Sequence, residues 1–302
     1  MHMRPNFMEL IMARWAKNLF VSVGLDSDLK RLPKCLTGTA AERQLDFNRA
    51  IIEAVNEHTL AFKPNLAFYL SQGAEGIAVL EKTCALIREI APDVPVILDC
   101  KFGDIGNTNL GYVEFAFQRC QADAVTVSPY LGAKALEPFL VQIDRGIIVL
   151  ARTSNPGAGE FQDLVTLTHD PRQKPDGLSA EDWLARLCED AKPLYQRVAE
   201  NVAREWDVAS NCLIVVGATY PAEAATIRQR VGNLPFLIPG VGTQGGDVEK
   251  IVLASRTGDK LGMIINSSSG IIFASGGLGF AEAAAVATFD LNQKINQSRT
   301  AA

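Results

Sequence analysis

Short apolar runs alternate with amphipathic stretches along the whole chain. The runs cover residues 19–24 (LFVSVG), 60–63 (LAFK), 94–98 (VPVIL), 124–127 (AVTV), 146–150 (GIIVL), 212–216 (CLIVV), 236–238 (FLI) and 262–266 (GMIIN). They are continuous rather than alternating, which is the pattern of strands buried on both faces. Each stops abruptly in polar, Gly or Pro residues. Thr39-Ala40-Ala41-Glu42 is a capping-box pattern that opens a helix to about Glu57, with Leu45, Ile51, Ile52 and Val55 on its buried side. Further helices are predicted over 74–90, 107–120, 133–143 and 280–296. Ser179-x-x-Asp182 caps a long helix to about Trp206, kinked at Pro193. Residues 155–178 are rich in Gly and Pro and read as one long loop, a length usually kept for function.

Eight strands, each followed by a helix, predict a (β/α)8 barrel in one domain over residues 1–302. A doubly wound sheet is the competing architecture, but no G-x-G-x-x-G follows the first strand. A barrel of this kind carries its chemistry at the C-terminal strand ends, and the unusual residues of this chain fall there.

Composition narrows the picture further. The chain is 48% hydrophobic and 21% charged, as a globular protein with a sizeable core is. Its formal net charge is −5 with both signs mixed, so no basic patch points to nucleic acid. An anionic substrate must therefore be held by local donors. The cysteines (Cys35, Cys84, Cys100, Cys120, Cys188, Cys212) are scattered without C-x-x-C spacing, the pattern of reduced core thiols in a cytoplasmic protein. His2, His58 and His169 do not cluster, which leaves no material for a zinc site or a Ser-His-Asp triad. Glu9 and Arg14 interrupt the apolar N-terminus, so neither a signal peptide nor a membrane span is expected.

The densest chemistry lies in residues 94–112 (VPVILDCKFGDIGNTNLGY). The third strand ends in Asp99, Lys101 and Asp104. On a strand, Asp99 and Lys101 point to the same side and Cys100 to the other. Charges at a buried strand end are costly unless they pair. A structural ion-pair network would satisfy that demand, and so would a site. Lys63, at the adjacent strand end, extends the group to a Lys–Asp–Lys–Asp row that keeps each ammonium charged. Pro239–Gly246 (PGVGTQGG) ends the seventh strand, with Asp247 as the cap of the next helix, and Ser267-Ser268-Ser269-Gly270 ends the eighth. Glycine-rich turns there expose backbone N–H groups to an anion, the usual phosphate position in such barrels.

Asp99-x-Lys101-x-x-Asp104-Ile105-Gly106-Asn107-Thr108 resembles the signature of the orotidine 5′-phosphate decarboxylase family. Lys63, the Asp26 strand end and PGVGTQGG stand in the right order around it. ARTSNPGAGEFQ (151–162) and VGATYP (216–221) are similar to the longer bacterial branch of that family. The resemblance implies a homodimeric barrel that needs no metal and no organic cofactor. It implies that Lys63, Asp99, Lys101 and Asp104 form the charged tetrad, and that Asp104 and Thr108 reach into the partner's site. It implies that Asp26 and Lys63 bond the ribose of orotidine 5′-monophosphate, that Ser154 contacts the pyrimidine amide, and that Pro239 packs near the base. Gln244, Ser269 and Gly270 fall at the phosphate. The product implied is uridine 5′-monophosphate, with Lys101 stabilising and then protonating the C6 carbanion.

One position departs from the family pattern. An arginine normally precedes the glycine after the eighth strand, and this chain has Ser269 before Gly270. Losing one charge-assisted contact costs about 1.5–3 kcal/mol of binding. Backbone amides, Gln244 and the serine hydroxyls are the remaining donors, with Arg152 as a substitute cation. Other functions are open to the same fold: a Schiff-base aldolase using Lys101 or Lys63, a non-catalytic nucleotide-binding barrel, or a Mg2+-dependent phosphosugar enzyme. The first needs a lysine with a depressed pKa, which flanking carboxylates oppose. The last needs more carboxylates around the third strand than this sequence has.

Overall fold

The computed structural model describes residues 4–241 and 246–301. Eight parallel strands form its main sheet: β1 (Val21–Gly24), β2 (Ala61–Lys63), β3 (Ile97–Phe102), β4 (Ala124–Val127), β5 (Gly146–Arg152), β6 (Cys212–Val216), β7 (Phe236–Pro239) and β8 (Met263–Ser267). They run β2-β1-β8-β7-β6-β5-β4-β3. Bridges Phe62↔Val96 and Asn65↔Asp99 join β2 to the β3 segment and close the ring. All eight strands of the sequence reading are therefore present. Their continuous apolar runs are buried because side chains fill the barrel on one face and the helical shell covers the other.

The helices are set by local chemistry. Thr39 caps Ala40–Val55 through a capping box with Glu42. Pro221 opens Pro221–Val231, where its missing N–H costs nothing. The helix Phe7–Ala16 was not apparent from the apolar pattern, because Arg14 falls on its buried side. Its guanidinium is satisfied by the Thr59 and Asn56 carbonyls. Trp15 Nε1 donates to Met263 O at 2.9 Å, and Phe7 packs on Gly146, where a Cβ would lie 2.3 Å from its ring. Met263 and Gly146 are the first residues of β8 and β5. This helix therefore plugs the N-terminal end of the barrel, leaving the opposite end for a ligand.

The predicted long helix from Ser179 to Trp206 is two helices, Ala180–Asp190 and Leu194–Asn201, the second continuing through Val202–Trp206. Pro193 lacks a backbone donor, so the chain leaves the helix there. Lys192–Pro193 instead pairs antiparallel with Val165–Thr166. The 155–178 section is thus partly ordered: it holds this ribbon and a helical turn, Gly159–Gln162. No helix among the described residues is long and apolar enough to cross a membrane.

Candidate active site

Asp99 organises the C-terminal end of the barrel. Its Oδ2 accepts from Lys63 Nζ at 2.8 Å and its Oδ1 from Lys101 Nζ at 2.5 Å. Thr126 Oγ1, at the end of β4, adds a bond to Oδ1 at 3.0 Å. Asp26 Oδ1 lies 4.0 Å from Lys63 Nζ. The row within one chain is therefore Asp26–Lys63–Asp99–Lys101.

Local backbone chemistry aims this row. The β3–β4 register shifts between Leu98 and Phe102, and Lys101 has a φ of 50°. Thr126 Oγ1 accepts from both the Cys100 and Lys101 N–H groups, which holds the bulge in place. Bulges beside active sites re-aim side chains in this way. The same-side placement of Asp99 and Lys101 is as the strand pattern predicts, although a bulge delivers it. Cys100 packs against the core, and burial pushes its thiol up to about 12, so it is no nucleophile.

Burial sets the electrostatics. Lys63 is 3% exposed and Asp99 8%, whereas the Lys101 side chain is half exposed. Burial pulls the Lys63 pKa down, but the charges of Asp99 and Asp26 outweigh it and hold the pKa above its ordinary value. Burial pushes Asp99 up, yet Lys63 and Lys101 together bring it far below the carboxylate range. Lys63 and Asp99 therefore stay charged in the buried core of the row, and Lys101 lies at its exposed end.

That opening is a cavity of about 340 Å³ lined by Asp26, Asp28, Arg31, Lys63, Phe68, Asp99, Pro239, Gly240, Val241 and Asn266–Ser269. It lies at the small end of ligand-site sizes. Gly24 lets the walls meet: a Cβ there would lie 1.9 Å from Ser268 Oγ. Of the predicted site residues, Asp26, Lys63, Asp99, Pro239 and Ser269 line the cavity; Lys101 does not, and touches it only by its bond to Asp99. Gly270 sits in the helical turn just behind Ser269 and is exposed. Ser154 is half-buried beyond β5, packed where a Cβ on Gly217 would be 2.8 Å from its own Cβ. Gln244 lies outside the described residues.

Asp104 and Thr108 do not line this cavity. Asp104 sits on a loop held by Asn109, which bonds the Asp104 N–H and carbonyl and the Ala135 carbonyl. Thr108 is exposed, as are the nearby Ile105, Leu110, Tyr130 and Val141. Arg152 is buried, bonded to Asp163 at 3.1 Å and stacked 3.9 Å from the Tyr220 ring. It is not a substitute cation for the anion. The helix after the glycine-rich loop, Val248–Ser255, is capped by Asp247, whose carboxylate takes the Glu249 and Lys250 N–H groups. The cap is as expected, but its carboxylate occupies donors that an anion would use.

Sequence reasoning missed Thr126, Asn109, Asn266 and Arg31. Thr126 was readable as the polar residue in an apolar strand, and Asn266 as the polar end of the eighth apolar run. Arg31 carried no signal, because its place depends on a distant aromatic ring.

A closed parallel barrel with an ionised lysine–carboxylate row at its C-terminal rim defines an α/β-barrel protein with a site for a small polar ligand. Comparison with known proteins is more specific: the chain belongs to the orotidine 5′-phosphate decarboxylase / HUMPS family, whose pattern matches residues 21–284. It is 43% identical over 296 residues to the orotidine 5′-phosphate decarboxylase of Cellvibrio japonicus, covering 97% of this chain and 99% of that one. It is 45% identical over 294 residues to the Ralstonia pickettii enzyme of the same name, covering 97% and 99%. The solved structure of Leishmania donovani OMP decarboxylase superposes with a TM-score of 0.78 at 33% identity, covering 98% of this chain and 100% of that one.

Proposed function

We propose that this chain decarboxylates orotidine 5′-monophosphate to uridine 5′-monophosphate in pyrimidine synthesis, without a metal. The observation that carries the reading is the Asp99 carboxylate shared between buried Lys63 and half-exposed Lys101. It fixes the Lys101 ammonium against Asp99, which lines the cavity. Near-full-length relatives named for this activity support the substrate.

In the reaction the C6–carboxylate bond breaks, CO2 leaves, and the electron pair stays on C6. That carbanion has no π system to spread into. The Lys101 ammonium stabilises the charge as it develops, in a site already organised for it. It then gives its proton to C6, and solvent reprotonates the amine. In this reading Lys63 and Asp26 bond the ribose hydroxyls and Pro239 packs on the base; all three line the cavity. A Schiff-base reading fares worse. Imine formation needs a free lone pair, and both lysines are ion-paired. Purified protein is expected to consume orotidylate equally with and without EDTA, followed by absorbance. No turnover would refute the assignment, and loss with EDTA would refute metal independence.

The same reading extends to a cytoplasmic homodimer, one barrel domain per chain, with shared sites. Asp104 and Thr108 lie outside their own chain's cavity, next in sequence to a groove lined by exposed Ile105, Leu110 and Val141, an apolar face suited to a partner. Mixing inactive Lys101→Ala with inactive Asp104→Ala protein should restore activity, because a mixed dimer has one intact site. Subunit exchange without recovered turnover would count against it.

A further inference from the structure

The cavity has one cation that the row of charges does not use. Arg31 lies in the loop after β1, at the end of a tight turn in which its N–H donates to Asp28 O at 2.9 Å. Its guanidinium stacks 4.1 Å from the centroid of Phe273. That ring is anchored in turn by Phe47, 5.4 Å away. Phe273 stands one helical turn beyond Ser269, whose carbonyl accepts the Phe273 N–H at 3.3 Å. The ring thus holds the guanidinium beside the hydroxyl-rich segment at the end of β8. Both Arg31 and Ser269 line the cavity, from the segments after the neighbouring strands β1 and β8.

The charge balance of the cavity makes this placement informative. Its lining carries Asp26, Asp28 and Asp99 against Lys63 and Arg31. Lys63 is ion-paired with Asp99 and Asp26. Among the described residues, no carboxylate lies within 4.0 Å of the Arg31 guanidinium, and none of its N–H groups donates to a protein atom. A surface arginine normally finds a carboxylate or is free to move. Here it is stacked in place, with a planar fork of donors left over. A fork of that geometry matches a phosphate bidentately.

We propose that Arg31 grips the phosphate of the substrate, with the Ser268 and Ser269 hydroxyls beside it. A cation from the first βα loop thereby serves the position that the segment after β8 leaves to serine. The inference rests on the reading that the substrate is a nucleoside monophosphate. It makes Arg31 the residue that separates a nucleotide from its nucleoside.

Calorimetric titration with uridine 5′-monophosphate and with uridine tests it. Arg31→Ala should weaken the nucleotide about 10- to 100-fold, the loss expected for a charge-assisted contact, and leave uridine unchanged. Adding Ser269→Arg to Arg31→Ala should recover most of the loss, since it returns a guanidinium to the same end of the cavity. Nucleotide affinity unchanged in Arg31→Ala would overturn the proposal. So would equal weakening of nucleotide and nucleoside, the result of a purely structural role. Wild-type protein that binds no nucleotide would sink the functional reading itself. Wild-type binding with an indifferent Arg31→Ala would sink this proposal alone.

Discussion

Lys101→Ala should lower kcat for orotidylate by at least about 10⁴-fold, the combined scale of a lost general acid and a lost electrostatic stabiliser. The fold should survive. The Lys101 side chain is half exposed and makes a single ion pair, so its removal costs roughly 1 kcal/mol. Alanine also inherits the same positive φ, so the bulge gains little new strain. Circular dichroism and the thermal midpoint should stay close to wild type while turnover disappears. Substantial activity in Lys101→Ala would show that the proton donor is misassigned. A Lys101→Arg variant should also be poor. Its charge remains, but its planar head is a far weaker acid than an ammonium.

Asp99→Ala should damage stability and activity together. It removes the acceptor of Lys63, which is buried, and leaves that ammonium with only Asp26 at 4.0 Å. Breaking a buried pair from one side costs about 3–5 kcal/mol. Chemical denaturation should show that loss, and kcat should fall because Lys101 is no longer held. Asp99→Asn keeps the shape and one acceptor oxygen, so it should destabilise less while still losing most activity. The pH dependence follows from the same pairing. Asp99 has a depressed folded pKa, so its stabilisation is present above the unfolded value of about 3.9 and is lost as pH falls through the lower folded value. Lys63 is raised, so its share is present below about 10.4 and is lost as pH rises through the higher folded value. Wild type should therefore hold these pairs from about pH 5 to 10, and Asp99→Asn should lack the part of the acid limb that Asp99 supplies. An Asp99→Ala protein as stable as wild type would contradict the burial argument.

The barrel was legible because its strands are short, apolar and continuous, and because each ends in residues that cannot continue a strand. The charged row was legible from spacing: Asp99 and Lys101 two apart, and Lys63 at the neighbouring strand end. What the spacing hides is tertiary. Phe7–Ala16 escaped notice because Arg14 faces inward and finds carbonyls contributed by another element. Thr126 is one residue of a strand until β4 pairs with the bulged β3 and sets its hydroxyl beneath two backbone N–H groups. Arg152 looked available because it ends a strand, but Asp163 and Tyr220, ten or more residues away, enclose it. Arg31 is the converse case. Nothing adjacent in sequence marks it, and a ring more than two hundred residues distant gives it a position. The two ends of the cavity therefore differ in how they are encoded. The charged row is written locally at β3, and the place of Arg31 is set by packing.

The most direct test of the central claim is the proton NMR spectrum of orotidylate incubated with the wild-type protein in D2O. The account predicts one-for-one conversion to uridine 5′-monophosphate carrying deuterium at C6, delivered from the exchanged Lys101 ammonium. Orotidylate left unconverted, or a product other than uridine 5′-monophosphate, would contradict it.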